Sequence, residues 1–406
     1  MFPEVKEQLD IIKKNTVEII PEAELEKKLI RSYKAKKPLI VKLGCDPSRP
    51  DLHIGHSIVL SKLRNFQDLG HKVVLIIGDF TGMIGDPSER NKTRPPLTLE
   101  ETRINGKSYY DQATKVLSQK NLEIRYNSEW LEKMSFKDVI KLASNYTVAR
   151  ILERDDFEKR IENDEPISMH ELLYPLSQAM DSVAVKSDVE LGGTDQKFNL
   201  LVGRDIQTAY GQEPQVIITT ELLEGTDGVE KMSKSLDNYI AFNDTPKDIF
   251  GKTMSIPDSM IYKYFKLCTA ITSGELEKIK KELENKSVNP RDLKVKLAYE
   301  LVKKYYDDGS ARNAQSEFEN IFVKKELPDE IPEYALKSKV IKLVNLLKET
   351  GMAESSSHAI RLINQGGVSI DGEKINDKDY TVRADRDFIL KVGKRKFLKV
   401  KIINSN

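Results

Sequence analysis

With 406 residues, 39% of them hydrophobic and 32% charged, the chain is long enough for two or three domains around a large buried core. A net charge of +1 argues against a protein that merely coats nucleic acid, and no apolar run approaches a membrane span, so a cytoplasmic protein without membrane contact is expected. Cys45 and Cys268 stand far apart without C-x-x-C spacing, which leaves no basis for a disulfide framework or a cysteine zinc site.

Residues 1–37 read as helical, rich in Glu and Lys, and lead into an apolar run at 39–43. That run reads as a buried parallel strand, ended by Gly44, Cys45, Asp46 and Pro47. Ser48, Pro50 and Asp51 supply turn and cap chemistry, and from about His53 the apolar Ile54, Ile58, Val59, Leu63 and Phe66 recur at helical spacing. His53 and His56 thus share one face at the start of a helix, beside the unpaired N–H groups of its first turn. Anions are favoured there, and imidazoles can donate hydrogen bonds to phosphate oxygens. Gly55 between them lets a flat base approach the backbone. A lone histidine near a cap is usually only a surface residue. The pattern is harder to dismiss: a shuffled chain of this composition would hold H-x-G-H roughly 0.003 times.

Gly70-His71 reads as a helix stop, and KVVLIIGDF as a strand buried on both faces, so a βαβ unit and a doubly wound parallel sheet are predicted. Ligands of such sheets gather at the carboxyl ends of the strands, where residues 44–56 and 78–86 would lie. Asp86 stands there on a glycine-framed turn, either as a plain turn aspartate or as a carboxylate facing an ammonium group. Residues 97–165 are helix-like, interrupted at Asn127 to Trp130, and Trp130, the only tryptophan, is expected in the core. Tyr174, Gln178 and Asp181 then fall at i, i+4 and i+7 on one helix face. Such a polar trio among apolar neighbours needs partners, and an amino-acid ligand would supply them. Gly192 and Gly193, followed by Asp195 and Gln196, suit close approach to a ribose; a capped strand-to-helix turn is the plainer alternative.

Residues 215–219 read as the last strand of the sheet, before Lys231-Met232-Ser233-Lys234-Ser235 on a loop introduced by Gly225, Asp227 and Gly228. Residues 244–325 change to helical patterning, and residues 326–335, proline-bearing and acidic, have linker composition. Residues 331–406 carry 15 Lys and Arg against 9 Asp and Glu, so the basic surplus sits at the C-terminus. Two short helices separated by Gly351, then Gly366-Gly367 and an Asp371-Gly372 turn, describe a small α+β module. The module resembles an RNA-binding domain shared with a small-subunit ribosomal protein, which implies that His358 and Arg361, with Lys391, Lys394, Arg395, Lys396, Lys399 and Lys401 on the closing hairpin, meet the phosphates of a structured RNA.

H-I-G-H followed in order by K-M-S-K-S resembles the class I aminoacyl-tRNA synthetases, and the sequence between and beyond them is similar to the tyrosyl branch over the whole chain. The resemblance implies a Rossmann-like α/β catalytic domain over residues 1–243, with a connecting insertion that contributes to a homodimer interface. It further implies a helical anticodon-binding domain over 244–330, and a linker with a small ribosomal-protein-like RNA-binding module over 331–406. Tyrosine would be activated with ATP, Mg²⁺ arriving on the nucleotide and no structural metal being held, and then passed to the 3′ end of its tRNA. His53, His56, Lys231, Lys234, Arg90 and Arg94 would stabilise the reacting phosphates; Asp46, Ser48, Gly55, Gly193, Asp195 and Lys234 would hold ATP. Tyr174, Gln178, Asp86 and Gln196 would contact the tyrosine, with Asp181 accepting its phenol hydroxyl. Three positions depart from the common pattern: Glu89 replaces a glycine, Met180 a tyrosine, and Lys42 a second hydroxyl-reading tyrosine. Two rivals stay open, a synthetase for tryptophan and a non-catalytic RNA-binding protein built on a retired synthetase.

Overall fold

Short β-branched runs at the ends of amphipathic helices assemble one six-stranded sheet. Its strands are β1 (Glu18–Ile20), β2 (Ile40–Cys45), β3 (Lys72–Ile77), β4 (Leu122–Tyr126), β5 (Val189–Gly193) and β6 (Val216–Thr220). They lie in the order β1-β6-β5-β2-β3-β4. The computed structural model describes residues 2–47, 50–87, 97–234, 236–322, 331–336, 340–383, 385–393 and 396–402. Ser48, Glu89, Arg90, Arg94, Ser235, Lys394 and Arg395 lie outside the described residues.

Every strand pair is parallel except that β1 runs antiparallel to β6, with Glu18 opposite Thr219. The strand order reverses about β2, which has β3 on one side and β5 on the other. Strands β2 and β5 pair only at Val41 with Val189 and at Lys42 with Glu190. Their carboxyl halves therefore part, and a crevice opens at the switch point, where doubly wound sheets bind ligands.

Two of these strands contradict the sequence reading. β1 lies in a stretch expected to be helical, and β4 interrupts one expected to be helix-like. β1 is three residues long and its backbone is satisfied by partners about two hundred residues later. β4, LEIRY, is half-buried throughout on the sheet edge, and its mixed polar pattern carries no clear period. The H-I-G-H helix also begins later than expected: it spans His56–Asp68, and His53 sits in the preceding turn, whose carbonyl accepts from the His56 N–H at 2.8 Å.

The core over the sheet is built by Phe66, Val73, Ile76, Leu191 and Ile218, all essentially inaccessible. The Met169–Val185 helix packs along the Lys197–Ala209 helix through Leu176, Ala179, Val202 and Ile206. After β6 the chain is helical, with helices at Pro246–Met254, Ile261–Cys268, Ser273–Glu284, Pro290–Tyr305 and Asp308–Phe322. The chain divides into two compact units, Met1–Gln315 and Ser316–Asn406.

The second unit is a small α+β module. Its strands are β7 (Glu333–Leu336), β8 (Val340–Lys342), β9 (Val368–Ile370), β10 (Glu373–Lys374), β11 (Thr381–Arg383), β12 (Phe388–Val392) and β13 (Lys396–Ile402). Helices Leu343–Glu349 and Ser356–Asn364 cover a core of Leu343, Leu346, Ile363, Leu390 and Val400. The linker expectation fails at its end: residues 333–336 form β7, which runs parallel to β13 and buries Leu336.

Candidate active site

A cavity of about 420 Å³ lies at the carboxyl ends of β2, β3 and β5. Its lining includes Asp46, His53, Gly55, His56, Asp86, Tyr174, Gln178, Asp181, Gly193, Asp195, Gln196, Lys231 and Lys234. Thirteen sequence-predicted positions, from segments far apart in the chain, thus meet around one space. His358, Arg361 and Lys396 belong to the second unit.

Both signature segments are fastened to each other through backbone. Ile54 N–H donates to the Ile240 carbonyl at 3.0 Å and Phe242 N–H to the Leu52 carbonyl at 2.9 Å, so the stretch after the lysine loop is laid against the H-I-G-H turn. Asn238 ties the loop itself, accepting from Ser233 N–H at 2.8 Å and donating to Asp227 at 2.6 Å. Lys231 meets the Asp195 carboxylate at 2.5 Å. Lys234 donates to the Tyr109 hydroxyl at 2.6 Å and stands 4.9 Å from the centre of its ring.

The two histidine rings lie against each other, centres 3.8 Å apart and planes tilted by 47°. Burial, then the charge of the other members of the site, holds both below the ordinary imidazole range, His56 down at about 3. Both are therefore neutral at physiological pH. The His53 backbone N–H donates to His56 Nδ1 at 3.1 Å, which places the single ring proton of His56 on Nε2. His53 Nδ1 is buried without a partner among the described residues. A Cβ on Gly55 would stand 2.9 Å from that same atom, so the glycine keeps room for the ring.

At the mouth of β2, Asp46 accepts from the Tyr174 hydroxyl at 2.8 Å and from Thr81 at 2.7 Å. A Cβ on Gly78 would come within 1.9 Å of Asp46 Oδ1, so only glycine fits beneath that carboxylate. Asp86 is no isolated turn aspartate. It accepts from Arg154 Nη2 at 2.6 Å and from Gln196 Nε2 at 2.7 Å, and Arg154 in turn reaches Asn199.

Asp181 lies at the far wall, fully buried. It accepts from the Trp130 indole N–H at 3.0 Å and more distantly from Asn127 at 3.5 Å. Burial pushes its carboxyl up to about 7, opposed by the charge of Lys42 and by the indole bond. Trp130 is half-buried: it packs against the core residues Val74, Ile76 and Val185 while its N–H serves the site. Sequence reasoning also missed Arg154, Tyr109 and Asn127. None carries a local motif, and each acts only through a fold that brings distant segments together.

The fold and this cavity define a class I tRNA synthetase. The family described as tRNA synthetases class I (W and Y) matches residues 34–323, and the S4 domain matches residues 341–387. The tyrosine–tRNA ligase of Thermotoga maritima is 56% identical over 98% of both chains. That of Chlorobaculum tepidum is 55% identical over 98% of both chains. The chain belongs to the tyrosine–tRNA ligase family. The tyrosyl-tRNA synthetase of Archaeoglobus fulgidus, solved with L-tyrosine, shares the fold with a TM-score of 0.63 at 22% identity, over 77% of this chain and 100% of that one.

Proposed function

We propose that the chain activates L-tyrosine with ATP, releasing pyrophosphate, and passes the tyrosyl group to the 3′ end of its tRNA. The observation that carries this is the meeting of H-I-G-H, the lysine loop and a buried carboxylate, Asp181, around one cavity. The tyrosine carboxylate attacks the α-phosphate of ATP; a terminal ribose hydroxyl of the tRNA then takes the tyrosyl group. Little covalent chemistry is asked of the protein, so the rate comes from positioning and charge stabilisation.

In this reading His56 donates from Nε2 to a phosphate oxygen, and His53 supplies a second neutral ring. Lys231 and Lys234 leave Asp195 and Tyr109 for the departing pyrophosphate, joined by Arg90 and Arg94, with Mg²⁺ entering as part of the ATP substrate. Asp46, Ser48, Gly55 and Gly193 serve the nucleotide, and Asp195 the ribose. The ammonium group of tyrosine meets Asp86, Tyr174, Gln178 and Gln196, and Asp181 accepts from the phenol. Phenylalanine would leave Asp181 buried without that bond, a logic for which the tyrosyl enzyme is itself the general example.

The helical residues after β6 and the basic module are read as tRNA-binding surfaces, with His358, Arg361, Lys394, Arg395 and Lys396 on phosphates. Lys399 and Lys401 are partly engaged by Glu333, at 3.8 and 2.6 Å, which lowers their weight. A homodimer is supported by exposed apolar side chains on the connecting helices, Phe136 at 80% and Met169 at 76% exposure. Sedimentation of the full chain tests it. Among the described residues no helix is long and apolar enough to cross a membrane, in keeping with a cytoplasmic enzyme.

Amino-acid-dependent exchange of pyrophosphate into ATP, with tyrosine, phenylalanine and tryptophan, tests the central claim beside a Lys234→Ala control. Exchange with tyrosine alone, lost in the control, is expected. Exchange with tryptophan instead would reassign the substrate. No exchange with any of the three, together with tight tRNA binding, would favour the retired synthetase.

A further inference from the structure

One ion pair behind the cavity wall stands outside this scheme. Lys42 on β2 and Glu190 on β5 are direct partners in the parallel register, at the last pairing before the strands part. Lys42 Nζ is 2.5 Å from Glu190 Oε1, and the two residues are 0% and 1% exposed. The second oxygen of Glu190 accepts from Ser182 at 3.1 Å and from Gln215. Gly203 leaves space for this cluster, since a Cβ there would stand 2.6 Å from Gln215 Nε2 and 3.2 Å from Glu190 Oε2. Burying two full charges is costly, and a pair of apolar residues would fill the same space at no such cost. A role beyond packing is therefore worth seeking.

One partner of the pair, Glu190, faces a polar residue of the cavity. Gln178 Nε2 points at Glu190 Oε1 at a long 3.5 Å. An ionised carboxylate only accepts, so it draws the amide N–H side toward itself and turns the carbonyl away. That carbonyl, Gln178 Oε1, is buried and without a partner among the described residues, on a side chain that lines the cavity.

We propose that Glu190, held in place by Lys42, is a positioning residue of the amino-acid pocket: it draws the amide N–H side of Gln178 toward itself and so presents the Gln178 carbonyl to the substrate's ammonium group. This deepens the tyrosine reading above and rests on it.

The test is pyrophosphate exchange in the full-length wild type, in Glu190→Gln and in Lys42→Met/Glu190→Gln, with KM for tyrosine and kcat read separately. Both variants are expected to raise KM for tyrosine roughly tenfold with kcat little changed, because the Gln178 carbonyl is no longer fixed toward the ammonium group. Inhibition by 3-(4-hydroxyphenyl)propionate, which lacks that ammonium group, should stay at the wild-type level in both. The single variant carries the test if the double variant fails to fold. Wild-type KM in the variants, or an equal loss for the analogue without the ammonium group, would overturn the proposal while leaving the tyrosine reading intact. Absence of tyrosine-dependent exchange in the wild type would overturn that reading itself.

Discussion

The two units handle charge in opposite ways. Around the cavity of the first unit, ionisable groups are buried and matched: Lys42 with Glu190, Arg154 with Asp86, Asp181 beneath an indole N–H. In the second unit the basic side chains lie toward the surface, with Arg361 and Lys396 exposed and Lys401 paired with an exposed Glu333. A buried charge acts through short range and low dielectric, so removing one group has a large and local effect. A surface charge acts through a screened field, so removing one has a small effect that depends on salt. Chemistry fits the first arrangement, and recognition of a polyanion the second.

That contrast can be broken from the top. Lys234→Ala should lower the exchange rate by about 10²- to 10³-fold while leaving tRNA affinity within a few-fold, since the lysine sits in the cavity and not on the basic module. Comparable losses in both assays would erase the distinction between the units. Asp181→Asn should cut selection of tyrosine over phenylalanine by roughly 10²-fold, measured as the ratio of kcat/KM in exchange. The same change should stabilise the fold above neutrality. Asp181 is raised in the folded state to about 7, so its contribution to stability is full below its unfolded value and is lost as pH rises through about 7. Asparagine escapes that loss, a gain on the order of 1 to 3 kcal/mol in denaturant unfolding at pH 8.

Acid probes the buried histidines. His56 and His71 are held down at about 3 and about 4 by burial. Their contribution to stability is present above the ordinary imidazole value and is lost as pH falls from there through these folded values. Denaturation midpoints should therefore drop steadily below about pH 6, and less steeply in His71→Gln. The smallest effect is expected at the surface. Lys396→Ala should weaken tRNA binding only a few-fold and reduce the slope of log affinity against log salt by about one. A loss that persists unchanged at high salt would mean that the module reads its RNA by specific contacts rather than by field.

What the sequence disclosed of all this follows from how far each feature reaches. His53, Gly55, His56 and the lysine loop are local words, and Tyr174, Gln178 and Asp181 share a helix face; each was legible because neighbours in the chain are neighbours in space. Strands β3 and β6 were legible because they are buried on both faces and read as β-branched runs, β2 as an apolar run with one lysine, and β5 only as the short stretch before Gly192 and Gly193. Arg154 against Asp86 and Tyr109 beneath Lys234 were not, since each pair forms only when separate segments converge. Lys42 was noticed as a departure, but its partner Glu190 is fixed by strand register, which a single sequence does not state.

Strand β1 also bears on how the molecule is made. Residues 18–20 leave the ribosome early, yet their hydrogen-bonding partners are residues 217–219. Until those arrive, the amino-terminal segment has no sheet to join, and the outer face of β6 has no cover once it forms. Closing a loop of that span is entropically slow, and an open strand edge invites pairing with another chain. The interval between synthesis of residue 220 and docking of β1 is the stage at which nascent copies are most exposed to one another.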